Sequence, residues 1–365
     1  MTNLPGWRTE RKLVILESDD WGSIRMPSRE VYEILLKSGD KVDSDPFTRY
    51  DALESEGDLS LLFECLTKYK DWKGNHPVIT ANCAVANPDF AKIEASGYRE
   101  FHYEPFTETL KRYPHHQRSF ELWQQGIQQK VFFPQLHCRE HMNSTRWLKH
   151  LQEGRSDLVT AFKHRMISTG DSFTPVNKYA YMDAFNYDLE EEFVTMQATL
   201  KEGAELFKQI FGYPSKSFIA PCYIWSAEFE QEIASHEIQY LQGSRVQLIP
   251  RETEGTKKLG SKWHYIGQVN RYNQLYLLRN CVFEPSWRQN INWVDNCLWE
   301  VAIAFRWNKP ATISTHRLNY IGYIDESNRD KNLKLLAVLL AKIMEQWPEV
   351  EFITSVELGE IIREG

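Results

Sequence analysis

The chain has 365 residues, 42% of them apolar and 25% charged, which is typical of a globular protein with ample material for a core. Its formal net charge is −7 and lysine and arginine form no block, so the basic face that nucleic-acid binding requires is not expected. No run of 18 apolar residues occurs, and the N-terminal segment contains no apolar stretch. We therefore expect neither a membrane span nor a signal peptide.

The cysteines favour a reduced compartment. The chain contains six of them, scattered and without a Cys-x-x-Cys pair. Secreted proteins of disulfide type space their cysteines more regularly. We therefore expect a cytoplasmic protein with free thiols. The six are Cys65, Cys83, Cys138, Cys222, Cys281 and Cys297.

The first predicted elements are a strand, a helix and a second strand. The apolar run "KLVILES" (12–18) predicts the first strand. A helix is predicted over 28–39, with Ser28 as its N-cap and Gly39 as its stop. The segment "HPVITANC" (76–83) predicts the second strand.

Strands and helices continue to alternate to the end of the chain. Further strands are predicted at 131–137, 216–221, 239–243, 275–280, 311–316 and 351–354. Helices are predicted at 144–154, 188–212, 226–235, 292–307 and 327–346, with a last short helix at the end. This alternation predicts βα units around a parallel sheet, in one domain that spans residues 1–365. Irregular insertions are expected at 165–190 and 244–272, where no periodic pattern is found.

Three predicted strands end in titratable side chains. The first runs straight into Asp19 and Asp20. The third ends at His137, with His141 four residues further on, and a late strand ends at His316. Because the carboxyl ends of parallel strands share one face of an α/β barrel, we expect these groups to converge there.

The converging residue types suit a divalent metal ion. Two histidines one helical turn apart, His137 and His141, can present nitrogens to one ion from one side. A carboxylate from the aspartate pair supplies a third ligand, and the other aspartate stays free to accept a proton. Zinc is the default for this donor set, and Co, Ni, Mn and Fe stay open.

The motifs "SDDWG", "HCREH" and "STH" resemble those of the polysaccharide deacetylase, or NodB-type carbohydrate esterase, superfamily. The resemblance implies a distorted (β/α)7, TIM-like barrel and removal of acetyl groups from an N-acetylated sugar. It also implies that Asp19 is the general base and His316 the general acid. Asp20, His137 and His141 would be the metal ligands.

The segment "IAPCY" (219–223) is similar to the Pro-aromatic motif of that superfamily. The resemblance implies that a backbone amide, of Cys222 or Tyr223, stabilises the oxyanion. The arginine that precedes this proline in the superfamily is missing, and Asp295 is the nearest counterpart of its Asp-x-x-Asp-Trp segment. Three arginines are candidates to replace the missing one: Arg25, Arg139 and Arg317.

Two tryptophans directly follow candidate site residues, and we expect Trp21 and Trp225 to form walls of the substrate pocket. The expected substrate is a carbohydrate or another N-acyl compound. A carbohydrate-binding relative without activity is the non-enzymatic alternative.

Two other hydrolase classes stay open. "HCREH" also fits the H-x-x-E-H pattern of a metallopeptidase, in which Glu140 would be the base and Glu205 a ligand. A two-carboxylate glycosidase would pair Asp19 or Asp20 with an acid such as Glu284.

Overall fold

A computed structural model describes residues 4–169, 181–187, 189–250, 252–253, 256–257, 259–288 and 290–365. The expectation of irregular insertions at 165–190 and 244–272 therefore falls partly outside the described residues. The described strands are β1 (Lys12–Trp21), β2 (Ile79–Ala84), β3 (Ala86–Pro88), β4 (Tyr103–Pro105), β5 (Phe132–Cys138), β6 (Ser217–Ile219), β7 (Tyr240–Gly243), β8 (Val246–Ile249), β9 (Glu252–Thr253), β10 (Thr256–Lys257), β11 (Gly260–Trp263), β12 (Leu275–Leu278), β13 (Cys281–Val282), β14 (Ala311–His316) and β15 (Val350–Phe352).

Helices lie between most of these strands. The described helices are α1 (Arg29–Ser38), α2 (Pro46–Arg49), α3 (Glu56–Thr67), α4 (Phe90–Ala95), α5 (Phe106–Leu110), α6 (Ser119–Gln128), α7 (Ser144–Gln152), α8 (Ser156–Lys163), α9 (Glu192–Phe211), α10 (Phe229–Ser235), α11 (Trp293–Arg306), α12 (Glu326–Gln346) and α13 (Ser355–Glu364). Short 3₁₀ turns follow β6 and β14, at Pro221–Tyr223 and Arg317–Tyr320.

The main sheet is parallel and curls into a half-barrel. Its strands follow the order β12-β7-β6-β5-β2-β1-β14-β13, and β15 pairs with β1. This arrangement confirms the predicted α/β fold with a distorted, barrel-like parallel sheet.

Strand β1 lies at the centre of the sheet. It pairs with β2, β14 and β15, and after Lys12 each of its residues is buried. A near-continuous apolar run is what a parallel strand covered on both faces requires. The register places Asp19 beside His316 of β14, although 297 residues separate them in the chain. Pairing of β1 with β14 therefore brings two predicted site residues together.

Several helix boundaries follow the predicted signals. The Ser28 side chain accepts a hydrogen bond from the Val31 N–H, and Gly39 ends α1 with a φ of 92°.

Helices α3 and α6 and the short hairpin of β3 with β4 were not predicted. Strands of three residues carry too little alternation to be recognised from sequence.

A close contact between α6 and the sheet gives a test of the packing. A Cβ on Gly126 would lie 2.6 Å from Phe63 and 2.9 Å from Phe132. We expect Gly126→Ala to lower the free energy of unfolding by about 1–3 kcal/mol, the usual cost of overpacking a core. Urea denaturation measures this change.

The matched control is Gly57→Ala in α3, where the nearest atom to the new Cβ lies 3.8 Å away. It should leave stability unchanged or raise it by up to about 1 kcal/mol, through helix propensity. Equal midpoints for the two variants would contradict the packing of α6 on β5.

Candidate metal centre

The predicted site residues meet at one edge of the sheet, where β1, β5 and β14 end. The Nε2 atoms of His141 and His137 lie 3.1 Å and 3.7 Å from Oδ1 of Asp20. On the other side, Nε2 of His316 lies 3.9 Å from Oδ2 of Asp19. The convergence predicted from the strand ends is therefore present in the structure.

The end of β1 departs from regular strand geometry. Successive side chains of a strand point to opposite faces, so a regular strand could not aim both aspartates into one site. The β1–β2 register shifts between Ser18 and Trp21, and Asp20 has a φ of 75°. Gly22 follows with a φ of 76°, and a Cβ there would lie 2.5 Å from the Ala84 carbonyl oxygen. This strained turn directs the Asp20 carboxylate toward the histidines.

Three side chains form a cluster that could hold a metal ion. One ligand atom each from Asp20, His137 and His141 lies within 4.8 Å of the other two, and all three residues are buried. Nδ1 of His137 faces the Ile219 carbonyl oxygen at 2.7 Å. A ring nitrogen that donates to a carbonyl leaves the other nitrogen, here Nε2, with its lone pair for an ion.

The electrostatics of the cluster also fit a cation. Burial lowers the pKa of His141 to about 4, so the ring is neutral at pH 7 and able to act as a ligand. Its Nε2 is the nitrogen that faces Asp20, and its Nδ1 is buried without a hydrogen-bond partner among the described residues. Burial alone would raise the pKa of Asp20, but Arg25 and His141 outweigh it and keep the carboxylate ionised. The donor set, two imidazoles and one carboxylate, is one that zinc and related ions accept.

The two histidines do not lie on a helix, contrary to the spacing argument. His137 belongs to β5 and His141 to the bend after it, and their ring centroids are 4.7 Å apart. The metallopeptidase alternative required both inside one helix and is therefore wrong. Its proposed base, Glu140, accepts two hydrogen bonds from Arg139 at 2.5 and 2.7 Å, and Glu205 is exposed on α9.

An arginine that sequence reasoning did not select holds Asp19. Arg279 donates from Nη1 and Nη2 to the two carboxylate oxygens of Asp19, both at 2.6 Å, and from Nε to Glu17 at 2.6 Å. Asn82 adds a hydrogen bond to Asp19 at 2.7 Å. Burial would raise the pKa of Asp19, but Arg279 outweighs it and lowers the pKa to about 2. Asp19 is therefore ionised over the whole working range.

The three arginines that the sequence offered as replacements for the missing one have partners other than Asp19. Each forms a buried or half-buried ion pair, and none is with Asp19. Arg25 pairs with Asp20, Arg139 with Glu140, and Arg317 with Asp51 and Glu54.

A glutamate orients His316. Nδ1 of His316 faces Oε1 of Glu284 at 2.6 Å, and Asn319 donates to Oε2 of the same glutamate at 2.7 Å. Burial would lower the pKa of His316, but Glu284 and then Asp19 raise it to about 9. His316 is therefore protonated at neutral pH. Both oxygens of Glu284 are engaged in this arrangement, which argues against its role as a glycosidase acid.

The expected counterpart of the Asp-x-x-Asp-Trp segment, Asp295, lies elsewhere. Its side chain is 60% exposed and pairs with Lys342 at 3.1 Å on the surface. Arg279 directly follows β12, so it also lies at the end of a strand, but an arginine does not bind a metal ion and is not selected by a search for ligands. Glu284 lies two residues after β13, a strand of two residues that the sequence did not predict. The sequence indicated Glu284 only as a candidate glycosidase acid.

The turn after β6 presents a backbone amide near the site. Cys222 and Tyr223 both have positive φ values, 57° and 58°, which turn the chain sharply after Pro221. The Tyr223 N–H donates to the Ala220 carbonyl oxygen at 3.0 Å, so of the two amides expected for the oxyanion this one already has an acceptor. The Tyr223 hydroxyl accepts a hydrogen bond from Arg279 at 3.2 Å, so its side chain faces the Asp19 side of the site.

The two tryptophans predicted as pocket walls lie in the core instead. Trp21 is fully buried and packs edge-on against Phe132 at 4.8 Å. Trp225 is 4% exposed, and its indole N–H faces Glu230 at 3.4 Å. Neither ring is open to a ligand. For Trp21 the reason is the bend of the chain at Asp20, which directs the Asp20 carboxylate into the site and the Trp21 ring inward.

No family model and no curated protein matches the chain, but solved structures do. A protein described as a polysaccharide deacetylase from Mycobacterium smegmatis is 9% identical, with 99% of this chain and 93% of that chain covered and a TM-score of 0.47. One similarly described, from Pseudomonas aeruginosa PAO1, is 8% identical, with coverages of 97% and 91% and a TM-score of 0.46.

A CE4 family pseudoenzyme from Bacillus anthracis also matches, at 9% identity, with coverages of 98% and 69% and a TM-score of 0.39. The structural neighbours thus include polysaccharide deacetylases together with a protein that lacks activity. Their likeness concerns the fold, and activity has to be argued from the site itself. In the described part of the chain, no helix is long and apolar enough to cross a membrane.

The ligand cluster can be tested by metal content. We expect His137→Ala and Asp20→Asn to lose stoichiometric metal, because each removes one of the three candidate ligands in the cluster. Asp19→Asn is the control, since Asp19 adjoins the cluster but faces Arg279. It should retain its ion. Elemental analysis after loading with zinc and desalting gives the occupancy. Unchanged occupancy in His137→Ala would show that the ion binds elsewhere.

Proposed function

We propose that this protein is a metal-dependent amide hydrolase that removes acetyl groups from an N-acetylated sugar or polysaccharide. The observation that carries the proposal is that two groups of side chains lie next to each other at one edge of the sheet. One is the Asp20–His137–His141 cluster, and the other is an ionised Asp19 next to a protonated His316. A hydrolase of amides needs both a cation site and a base with an acid.

Asp20, His137 and His141 would hold the ion, with zinc as the default and Co, Ni, Mn or Fe also compatible. When bound, such an ion polarises the acyl carbonyl and lowers the pKa of a water ligand. Three protein ligands leave coordination positions open, as catalytic sites require.

Asp19 is the proposed general base. Arg279 and Asn82 hold its carboxylate in one orientation, through hydrogen bonds of 2.6 to 2.7 Å. A pKa of about 2 makes it a weak base by itself. It can take a proton only from water that is already acidified, which makes its action dependent on the neighbouring cation site.

His316 is the proposed general acid. Amide hydrolysis expels an amine, a poor leaving group unless its nitrogen is protonated as the C–N bond breaks. With its pKa raised to about 9, His316 carries the required proton at neutral pH. Glu284 fixes the ring through Nδ1, so Nε2 is the nitrogen that donates.

The backbone N–H of Cys222 is the proposed oxyanion donor. A main-chain amide is a fixed dipole and needs no reorganisation as negative charge develops on the acyl oxygen. The positive φ of Cys222 is held by the turn after β6, and strain of this kind is found where function requires a particular amide direction.

Two aromatic rings near His316 support a carbohydrate substrate. Trp287 lies 5.4 Å from the His316 ring and is 43% exposed, and Phe47 lies 5.3 Å from the same ring. Exposed aromatic faces next to convergent polar groups are typical of ligand sites, and the apolar face of a sugar ring can pack on them. The resemblance of the sequence motifs to polysaccharide deacetylases points to the same substrate class.

Release of acetate from an N-acetylated glucosamine oligosaccharide tests the proposal directly. We expect the zinc-loaded protein to release acetate and the chelator-treated protein to release none until metal is restored. Asp19→Asn should keep its ion and lose activity by roughly 10²-fold or more, the scale of a general base. A loaded protein that releases no acetate from any N-acetylated sugar would overturn the proposed function.

The pH profile tests the acid. The pKa of His316 is raised, so its proton is present below about pH 9 and lost above it. We therefore expect kcat/KM to fall as the pH rises through about 9. Glu284→Gln removes the carboxylate that raises this pKa and should move the fall to lower pH.

Asp295→Asn is the matched control, because it removes a carboxylate that is exposed and bonded to Lys342. Its profile should equal that of the unmodified protein. A profile that does not move in Glu284→Gln would remove His316 from the acid role.

A further inference from the structure

The two oxygens of the Asp20 carboxylate face different partners. Oδ1 faces Nε2 of His141 at 3.1 Å and Nε2 of His137 at 3.7 Å. Oδ2 accepts a hydrogen bond from Nη2 of Arg25 at 3.2 Å. Only Oδ1 is thus directed to the histidines, while Oδ2 is held from the other side by a cation.

Arg25 is itself held in place by buried charge. Its Nε lies 3.7 Å from Oδ2 of Asp51. Asp51 in turn accepts two hydrogen bonds of 3.0 Å from Arg317, and both of these side chains are fully buried. A chain of alternating charges therefore runs from the metal cluster into the interior: Asp20, Arg25, Asp51, Arg317 and Glu54.

The backbone around Arg25 is anchored as well. The N–H of Ile24 donates to the Asn87 side chain at 2.7 Å, and the N–H of Met26 donates to the Asp51 carbonyl oxygen at 3.1 Å. The side chain of Arg25 is 11% exposed, and the Phe47 ring lies 5.5 Å from its guanidinium carbon. Arg25 has little freedom to move away from Asp20.

Two opposing effects on metal affinity follow from this contact. A positive charge beside a ligand carboxylate repels a cation and weakens its binding. A hydrogen bond that fixes the direction of a ligand strengthens binding, and loss of such a contact typically costs 10–100-fold in metal affinity. The strained φ of Asp20 means that the backbone alone does not leave this carboxylate in a relaxed position.

We propose that Arg25 is a positioning residue for the metal centre. It holds the Asp20 carboxylate so that only Oδ1 binds the ion, and this positioning raises the metal affinity more than the repulsion between Arg25 and the ion lowers it. The proposal rests on the proposed function only in that it requires an ion at the Asp20–His137–His141 cluster. It concerns the protein without substrate, so it can be tested without any measurement of activity.

The test is the zinc affinity of Arg25→Gln, measured by competition with a chromophoric chelator. We expect zinc to bind Arg25→Gln 10–100-fold more weakly than it binds the unmodified protein. Arg25→Lys should recover part of the affinity, because a lysine keeps the positive charge but cannot contact Asp20 and Asp51 through two separate nitrogens. Arg139→Gln is the matched control. Arg139 is also a buried arginine beside a ligand, yet its partners are Glu140 and Glu202, so zinc affinity should not change.

The outcomes separate the proposal from the function. If Arg25→Gln binds zinc as tightly as the unmodified protein, or more tightly, the positioning role is overturned. The hydrolase proposal is then unaffected. Absence of binding in the unmodified protein for every one of Zn, Co, Ni, Mn and Fe would overturn both. If Arg25→Gln does not fold, the zinc affinity of Arg25→Lys decides. Because only partial recovery is expected of a lysine, binding as tight as in the unmodified protein would contradict the proposal.

Discussion

The pairing of β1 with its parallel neighbours is the constraint on which the site depends. In a parallel sheet every strand ends at the same edge, so residues far apart in the chain meet wherever strands are adjacent. The register of β1 with β14 sets Asp19 beside His316, and β5 brings His137 to the same edge. No loop has to fold back to assemble these groups. A shift of one residue in that register would turn each side chain to the opposite face and separate His316 from Asp19.

The cost of this arrangement is negative charge at the end of a buried strand. Glu17, Asp19 and Asp20 lie within four residues and are all at least 95% buried, so each needs its own compensation. Arg279 donates hydrogen bonds to both Glu17 and Asp19, while Arg25 and the two histidines contact Asp20. Removal of one partner would leave a buried charge unpaired, which is far more damaging than loss of a surface ion pair. A bound cation would add to the compensation on the Asp20 side.

Much of this could be predicted from sequence, because strand ends and titratable residues are both visible there. Hydrophobic runs followed by Asp19, by His137 and by His316 were sufficient to predict a common site. The partner of Asp19 was missed because Arg279 follows a weak strand signal and lies far from the segment "IAPCY", where an arginine was looked for. The predicted strand at 131–137 placed His137 correctly, but the spacing did not show how His141 reaches the site, since four residues of separation fit a helical turn and a strand-to-bend transition equally well. The bulge that buries Trp21 had no sequence signal.

The protonation states of the proposed base and acid are set by different partners. Asp19 is kept ionised by Arg279, and His316 is kept protonated chiefly by Glu284, so neither state depends mainly on the 3.9 Å contact between them. If each depended mainly on the other, a change in the protonation of one during the reaction would shift the pKa of the other. Here the acid can give its proton to a leaving amine while its glutamate still holds the ring. Because Arg279 and Glu284 act on different residues, a proton acceptor and a proton donor can lie at one edge of the sheet at the same pH.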